Sequence, residues 1–313
     1  MLGQLFQLLI FPGFLFLVMF GFIAEFFDRK LYARLQNRIG PPFFQPVADF
    51  IKLMAKEEVI PEEANPRIFR LTPIFAVASA VTAFLYIPLW KQSGLLAFHG
   101  DIIIILYLLT IPALTFFLGG WYSTSLYSKM GAVRSITQLF AYEAPLFISV
   151  LAPALLANTW SLKEMTQFYT VHPWCWLFNL LGFSIALVAM LGKLEKVPFD
   201  IAEAETEIVA GTFTEYSGRL LGFFKLAINV ETIVGASLLA AVFLPFGLTL
   251  EAWPAFLLYV LKVLFIVALL SLARTVFARL RIDQMMRLCW KYIAPLAFLQ
   301  LLIDLILKGL LIR

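Results

Sequence analysis

The chain contains eight apolar stretches that are each long enough to cross a lipid bilayer as a helix. About 20 predominantly apolar residues are needed to span the hydrocarbon core. The stretches are approximately residues 4–27, 72–90, 101–120, 136–157, 174–192, 220–248, 253–273 and 290–312. In hydrocarbon every backbone polar group has to be paired internally, which a helix achieves within its own segment. We therefore predict an all-α fold, an integral membrane bundle of eight transmembrane helices that forms one domain over residues 1–313.

Composition excludes several other classes of protein. Hydrophobic residues make up 62% of the chain and charged residues 14%, against roughly 45–50% and about 25% in soluble domains. This balance excludes a soluble globular domain, a disordered chain and a nucleic-acid-binding protein, so no nucleic acid is expected among the partners. The two cysteines, Cys175 and Cys289, lie far apart, and no Cys/His cluster is present. The sequence thus predicts no iron–sulfur cluster or metal held by this chain itself.

Basic residues are concentrated in alternate connections. The connections after stretches one, three, five and seven, the last taken to Lys291, hold 18 Lys and Arg, whereas the other three hold 2. The positive-inside rule then places the basic connections in the cytoplasm and both termini outside. The cytoplasmic segments are residues 28–71, 193–219 and 274–289, and any soluble partner is expected to bind there.

The first cytoplasmic segment contains an amphipathic stretch, residues 43–56. Its apolar side chains fall on one helix face, and Asp49 lies on the opposite face. Such a helix lies at the membrane boundary. It is either an ordinary interfacial anchor or the floor or lid of a cavity that opens from the cytoplasmic side. In the second case, we expect Gln45, Asp49 and Phe199 to line the cavity.

The second cytoplasmic segment is unusually acidic. Its carboxylates are Glu195, Asp200, Glu203, Glu205, Glu207 and Glu215. Asp200 with Glu203 resembles a capping box that opens a short helix, which would put Glu203 and Glu207 one turn apart on one face. Crowding of like charges raises the proton affinity of a carboxylate. A charge run is often only a solvated surface, but interleaved apolar residues favour burial here, so we predict a proton relay.

Ionisable residues also occur inside the apolar stretches. Charges within a membrane span are costly and tend to mark ion pathways. Glu143 has no basic neighbour one turn away, and any partner of Glu231 has to come from another helix. We predict that both belong to a proton path. Asp304 and Lys308 are spaced i, i+4 and are expected to form a structural ion pair.

Several motifs resemble those of the H-type membrane subunit of respiratory complex I. They are Asn37-Arg38-Ile39-Gly40-Pro41, the stretch from Gln45 to Leu53, Tyr142-Glu143-Ala144-Pro145, the stretch from Pro198 to Glu205, Glu215-Tyr216-Ser217 and the stretch from Arg279 to Gln284. The stretch between Gly40 and Gln45 is shorter than in quinone-linked members of that family. With Gly192-Lys193 ahead of the Pro-Phe-Asp run, it is more similar to the counterpart subunit of energy-converting membrane-bound [NiFe] hydrogenases and related ferredoxin-driven complexes.

This resemblance implies a coupling subunit of the cell membrane that has no catalytic centre of its own. The partners it implies are peripheral iron–sulfur and hydrogenase-like subunits on the cytoplasmic face, and antiporter-like and small membrane subunits within the lipid bilayer. [4Fe–4S] clusters and a [NiFe] centre would belong to those partners. The acidic loop of Asp200, Glu203, Glu205 and Glu207 would lie beneath the last cluster, with Glu143 leading toward the antiporter-like subunits. Partner docking is implied for Arg34, Arg38, Arg279 and Arg281.

Three alternatives remain open on the sequence. The first is a quinone-binding membrane subunit of a complex I NADH or ferredoxin dehydrogenase. The second, from another class, is a stand-alone secondary transporter, although the sequence contains no internal repeat of the kind that transporters often show. The third is a membrane enzyme acting on prenyl diphosphates, which would need clustered Asp ligands for Mg²⁺, whereas the loop carboxylates here are almost all Glu.

Overall fold

A computed structural model of the chain describes residues 2–90, 94–247 and 250–311, and all regular structure in these ranges is helical. The helices are α1 (Leu2–Leu9), α2 (Phe14–Leu35), α3 (Gln45–Ala55), α4 (Pro66–Tyr86), α5 (Asp101–Tyr122), α6 (Leu126–Ala157), α7 (Leu162–Val171), α8 (Cys175–Phe178), α9 (Leu180–Lys193), α10 (Glu205–Ile208), α11 (Gly218–Phe243), α12 (Ala252–Val276), α13 (Ile282–Leu288) and α14 (Ala294–Leu311). A short 3₁₀ turn covers Gly211–Phe213, and a π-helical turn, Cys289–Ile293, joins α13 to α14.

Seven helical segments in the described part of the chain are long and apolar enough to cross a membrane. This confirms the all-α membrane bundle and makes the chain a multi-pass membrane protein. The predicted stretch 174–192 differs from the others, because the helix breaks at Asn179 and leaves α9 with 14 residues. At about 1.5 Å per residue α9 is roughly 21 Å long, against about 30 Å of hydrocarbon. The Asn179 side-chain amide is buried and lies 2.7 Å from Tyr169 Oη instead of facing outward.

The last span also differs from its predicted bounds. It begins at Ile282 rather than near residue 290, because α13, the π turn and α14 form one continuous helical segment. The predicted ends at residues 248 and 312 lie outside the described residues. The expected Asp304–Lys308 ion pair is wrong: Lys308 Nζ donates to Asn158 Oδ1 at 2.7 Å, and Asp304 accepts from Gln300 at 3.0 Å.

Helix α11 is the central element of the bundle. Of its most apolar window 89% is buried inside the protein, and it packs against α2, α3, α4 and α12. Lys225 and Glu231 interrupt its apolar pattern without breaking the helix. Each has an oppositely charged partner at 3.0 Å, Glu203 for Lys225 and Lys193 for Glu231. Charges inside the bundle are therefore tolerated because they are paired between helices.

Helix α6 carries the end of the acidic loop against its flank. The 3₁₀ turn lies so close to Gly131 that a Cβ atom there would be 2.5 Å from the backbone nitrogen of Thr212. Only a glycine allows this backbone approach, because no real Cβ contact is that short. The acidic loop is thereby held onto the helix that contains Glu143.

We expect Gly131→Ala to destabilise the protein by roughly 1–3 kcal/mol, because the added methyl group forces either α6 or the 3₁₀ turn to shift. The matched control is Gly309→Ala in α14, where nothing lies within 4 Å of the new Cβ. Both changes bring the same gain in helix propensity. The measurement is the thermal midpoint of the detergent-solubilised protein, and equal midpoints for the two variants would contradict this packing.

Candidate functional site

A cavity of about 500 Å³ lies between α2, α3, α11 and the segment that follows α9. Its lining is mixed, with ten charged residues among apolar ones. Six carboxylates line it: Glu25, Asp28, Asp49, Glu195, Asp200 and Glu203. Four cations also line it: Arg29, Lys196, Lys225 and Arg274. We call this the acidic cavity. Carboxylates from three separate sequence segments meet there, which the sequence alone does not reveal.

Sequence reasoning missed two of these carboxylates, Glu25 and Asp28. Both lie on α2: Glu25 falls inside the predicted stretch 4–27, and Asp28 is the first residue of the predicted cytoplasmic segment. One signal was available. Glu25 and Asp28 are three residues apart and so share a helix face, and Glu25 has Arg29 one turn further on.

Asp28 fastens the segment after α9 to two helices. The carboxylate is 5% exposed, and its Oδ2 lies 2.9 Å from Lys196 Nζ and 3.5 Å from Arg274 Nη1. Ser271 Oγ on α12 donates to Oδ1. A buried carboxylate requires such partners, because an unpaired charge there is strongly destabilising. Asp28 therefore positions the wall of the acidic cavity.

Glu25 and Asp49 form a second group on the same cavity. Glu25 pairs with Arg29 and accepts from Asn229 of α11, and Arg29 also pairs with Asp49 at 3.1 Å. Of the three residues predicted to line a cavity, Asp49 lines this one. Gln45 does not line the cavity, but its side-chain amide donates a hydrogen bond to Asp49 at 2.8 Å.

Phe199 is not a lining residue either. It is 2% exposed and packs in the hydrophobic core, because an aromatic ring is more stable there than against a charged cavity.

The acidic loop does not form the predicted helix from Asp200. Regular helix covers only Glu205–Ile208, because the backbone at Ala204 has a φ of 26°, through which a helix cannot continue. Glu203 pairs with Lys225 of α11, whereas Glu207 pairs with Arg134 of α6 at 2.6 Å. The two carboxylates therefore have different partners and do not share one helix face.

Two further acidic residues of the loop were predicted to be part of the site. The side chain of Glu205 lies outside the described residues. Glu215 is half-buried in the turn before α11 and does not line the acidic cavity.

Glu195 occupies a backbone position that glycine normally takes. Helix α9 ends in a Schellman motif, in which Glu195 N donates to Gly192 O at 3.2 Å and Lys196 N donates to Leu191 O at 3.1 Å. Glu195 has a φ of 50°, in the left-handed region, which costs a non-glycine residue about 1 kcal/mol. The side chain thereby gained lies at the cavity wall, where Oε1 accepts from Ser135 Oγ at 2.8 Å.

The environment of Glu195 favours its protonated form. Burial, reinforced by the negative charge of Glu203, raises the pKa of Glu195 to about 8. Its Oε2 is buried and accepts no hydrogen bond from a described residue. Glu207 is the opposite case, because the hydrogen bond from Arg134 lowers the pKa of Glu207. One acidic loop therefore holds both a proton-loaded and an ionised carboxyl group near neutral pH.

A buried ion pair lies deeper in the bundle. Lys193 Nζ is 3.0 Å from Glu231 Oε1, and both side chains are 1% exposed. Lys193 also donates to the backbone oxygen of Leu109 and lies 5.8 Å from the centre of the Tyr142 ring. Glu231 thus finds its partner on another helix, as the sequence required.

Glu143 follows Tyr142 on α6 and is half-buried. It has no hydrogen bond or salt bridge with a described residue, and the positive charge that acts on it is that of Lys193. Lys193 therefore pairs directly with Glu231 and acts on Glu143 only from beyond salt-bridge distance.

The four arginines predicted for partner docking fall into two groups. Arg34, Arg38 and Arg281 are exposed. Arg279 is half-buried: its Nη2 donates to the backbone oxygen of Asp200 at 2.5 Å and lies 3.8 Å from the carboxylate. Arg279 therefore positions the acidic loop, and the three exposed arginines present charge at the surface on the side of the acidic cavity. Among the described residues, no group of three or more His, Cys, Asp or Glu side chains could hold a metal ion.

Together, the helical bundle, the acidic cavity at one end and the buried pair beneath it define a multi-pass membrane protein with an internal series of titratable groups. The family model described as NADH dehydrogenase matches residues 7–305. The chain belongs to this family, which is that of the H-type membrane subunit of complex I.

Relatives with curated names agree with this assignment. The chain is 35% identical over 303 residues to the H-type subunit of the NADH-quinone oxidoreductase of Dehalococcoides mccartyi, a match that covers 91% of this chain and 84% of the relative. It is 33% identical over 313 residues to the NADH-quinone oxidoreductase subunit 8 of Thermus thermophilus, covering 94% and 86%. Among solved structures it is similar to a chain of the membrane-bound sulfane sulfur reductase, an archaeal respiratory membrane complex, with a TM-score of 0.83 and 26% identity over 93% of this chain and 96% of that chain.

We expect Glu195→Gln to flatten the dependence of thermal stability on pH. A carboxyl whose pKa is raised in the folded state contributes stability at low pH, and that contribution is lost as pH rises through the folded pKa. The wild-type thermal midpoint should therefore fall between about pH 5 and pH 8, from the unfolded to the folded pKa of Glu195, more steeply than that of the Gln variant, which keeps the Ser135 hydrogen bond but cannot ionise. Glu207→Gln is the matched control and should keep the wild-type slope, because Glu207 is ionised throughout. An unchanged slope in Glu195→Gln would contradict the assignment.

Proposed function

We propose that this chain is the membrane anchor and coupling subunit of a multisubunit ion-translocating oxidoreductase complex. As a member of the family of H-type complex I subunits, it is a membrane subunit of a respiratory oxidoreductase complex. In the finer assignment, it docks a peripheral iron–sulfur arm over the acidic cavity and relays protons or charge to antiporter-like subunits. The [4Fe–4S] clusters and a terminal [NiFe] centre would belong to the partners. With α9 counted as the eighth crossing, the protein lies in the cell membrane with the acidic-cavity side in the cytoplasm and both termini outside.

The observation that carries the proposal is the continuity of the titratable groups. Asp200 and Glu203 line the acidic cavity together with Glu195. Lys193, two residues before Glu195, forms the buried pair with Glu231. Lys193 also acts electrostatically on Glu143. A proton or a change of field that enters at the cavity therefore has titratable neighbours as far as α6. Redox chemistry above the cavity would alter the charge there, and a shift of one pKa unit corresponds to about 1.4 kcal/mol.

Exposed arginines around the acidic cavity support the proposal that a peripheral arm docks there. The exposed Arg34, Arg38 and Arg281 lie on the same side as the acidic cavity, and charged residues at a rim steer association more than they add affinity. Arg279 and Arg134 hold the loop from beneath through Asp200 and Glu207. A partner that binds the exposed arginines can therefore alter the conformation of the acidic loop without direct contact with Glu195 or the Lys193–Glu231 pair.

The second candidate is a quinone-binding subunit. The names of the curated relatives favour it, and so does the size of the acidic cavity, since ligand cavities commonly measure about 300–1,000 Å³. The charged lining favours the first candidate, because sites for apolar ligands are lined predominantly by hydrophobic and aromatic side chains. Among related structures, the sulfane sulfur reductase complex shows that this fold also serves a complex named for a different acceptor.

We expect Glu143→Gln to abolish ion translocation, because an amide preserves the shape of the side chain but does not bind and release a proton near neutral pH. The complex should be purified through a tag on this chain in mild detergent, and it should contain iron from the co-purifying subunits. Electron transfer from the partner's donor to an artificial acceptor should remain close to the wild-type rate. Ion translocation is measured in proteoliposomes that contain the same complex.

Two control variants sharpen this test. Glu143→Asp keeps a carboxyl group and should recover part of the translocation. Glu62→Gln changes an exposed loop carboxylate and should leave both activities unchanged. Translocation that survives in Glu143→Gln would show that the relay assignment is wrong. A chain that purifies alone, without iron, would favour the stand-alone transporter, and turnover that depends strictly on added quinone would favour the second candidate.

A further inference from the structure

A second buried polar cluster lies at the opposite end of α9 from Lys193. It consists of Tyr169 from α7, Asn179 at the start of α9, and Gln300 and Asp304 from α14, and each of them is at most 3% exposed. None of them lines the acidic cavity. Lys308, one turn from Asp304, donates to Asn158 instead. Among the described residues, Asp304 therefore has no salt-bridge partner.

Three polar atoms of this cluster form a closed triangle. Gln300 Nε2 is 3.0 Å from Asp304 Oδ2 and 3.1 Å from the side-chain amide atom of Asn179 that faces it. That amide atom is itself 3.0 Å from Asp304 Oδ2. All three distances are hydrogen-bond distances. A side that carries a hydrogen is a hydrogen bond, whereas a side without one brings two donors or two acceptors to that separation, which is less favourable.

An ionised Asp304 leaves one side of the triangle without a hydrogen. If both amides present their NH₂ groups, the contact between Asn179 and Gln300 has donors but no acceptor. If either amide presents its oxygen, that oxygen faces a carboxylate oxygen 3.0 Å away, and two acceptors repel each other. This count holds for every orientation of the two amides, so it does not depend on how their nitrogen and oxygen atoms are assigned.

A proton on Asp304 places a hydrogen on all three sides of the triangle. The carboxyl O–H then donates to Asn179 Oδ1, and Gln300 Nε2 donates one hydrogen to each of the other two groups. Asn179 Nδ2 donates to Tyr169 Oη at 2.7 Å, and Tyr169 in turn donates to the backbone oxygen of Pro153 at 3.2 Å. Burying a neutral acid in the bundle also avoids the cost of an unpaired charge.

We propose that Asp304 is a proton-binding site that holds its proton in the resting protein. The other titratable groups facing it are the neutral side chains of Tyr169 and Cys175, whereas Lys308 on its own helix is held by Asn158. The ligand is a proton, because each contact of the triangle has the length of a hydrogen bond. This site is separate from the Glu195–Glu231–Glu143 series and does not rest on the proposed function.

The test is infrared spectroscopy of the full-length chain in lipid nanodiscs, with ¹³C at the side-chain carboxyl of aspartate. A protonated carboxyl absorbs at higher wavenumber than an ionised one, and the label distinguishes aspartate from glutamate. We expect a protonated-aspartate band at neutral pH that is lost in Asp304→Asn. Asparagine has the same shape and supplies an N–H in place of the O–H. The control Asp283→Asn removes an exposed carboxylate and should leave the band unchanged.

The band has to persist in sodium-containing buffer. A band that survives in Asp304→Asn would overturn the proposal, and so would one that appears only after sodium is removed, because an alkali cation would then occupy the site. If Asp304→Asn does not fold, Tyr169→Phe provides a second reading. It removes the acceptor of the Asn179 amide and should shift the Asp304 band, whereas an unshifted band would contradict the network.

Discussion

The rest of the structure depends on one constraint: a charged side chain inside a membrane bundle has to find its partner on another helix. The Lys193–Glu231 pair joins α9 to α11, and Asp28 joins α2 to α12 and to the segment after α9. Removing one partner of a buried pair typically costs about 3–5 kcal/mol, because the other charge stays behind unpaired. The contacts of Asp28 that hold these helices together therefore also position the wall of the acidic cavity.

The backbone conformation at Glu195 is unfavourable for a residue with a side chain, but it places a carboxyl group at the cavity wall. A glycine at the left-handed position after α9 would be more favourable for the backbone, but it would carry no carboxyl group. The residue at this position is instead Glu195, and burial raises the pKa of its carboxyl group to about 8. Strained backbone positions that persist in a well-packed structure are concentrated at functional sites. The position of this residue, between the acidic cavity and the buried pair, agrees with a role in proton transfer.

Much of the fold followed from the sequence, because long apolar stretches leave a chain few alternatives to a helical bundle. The amphipathic residues 43–56 contain α3, and the interruption of span six by Lys225 and Glu231 marked the helix with two ion pairs, one to the acidic loop and one to α9. The break at Asn179 escaped prediction because it depends on a hydrogen bond to Tyr169 from another element. Glu25 was missed inside the first apolar stretch, and Asp28 because the span boundary at residue 27 was drawn by hydropathy alone. The acidic loop was taken for a helix because spacing cannot show that Ala204 adopts a positive φ.

The central claim is that the acidic cavity lies beneath a redox partner, and the most direct measurement is a cryo-electron microscopy structure of the complex purified through this chain. The account predicts that an iron–sulfur subunit covers the loop containing Asp200 and Glu203, with Arg34, Arg38 and Arg281 in the surrounding contact. It also predicts that a membrane subunit packs against the α6 surface near Glu143. A map in which this loop faces bulk solvent, remote from any metal-bearing subunit, would contradict the account.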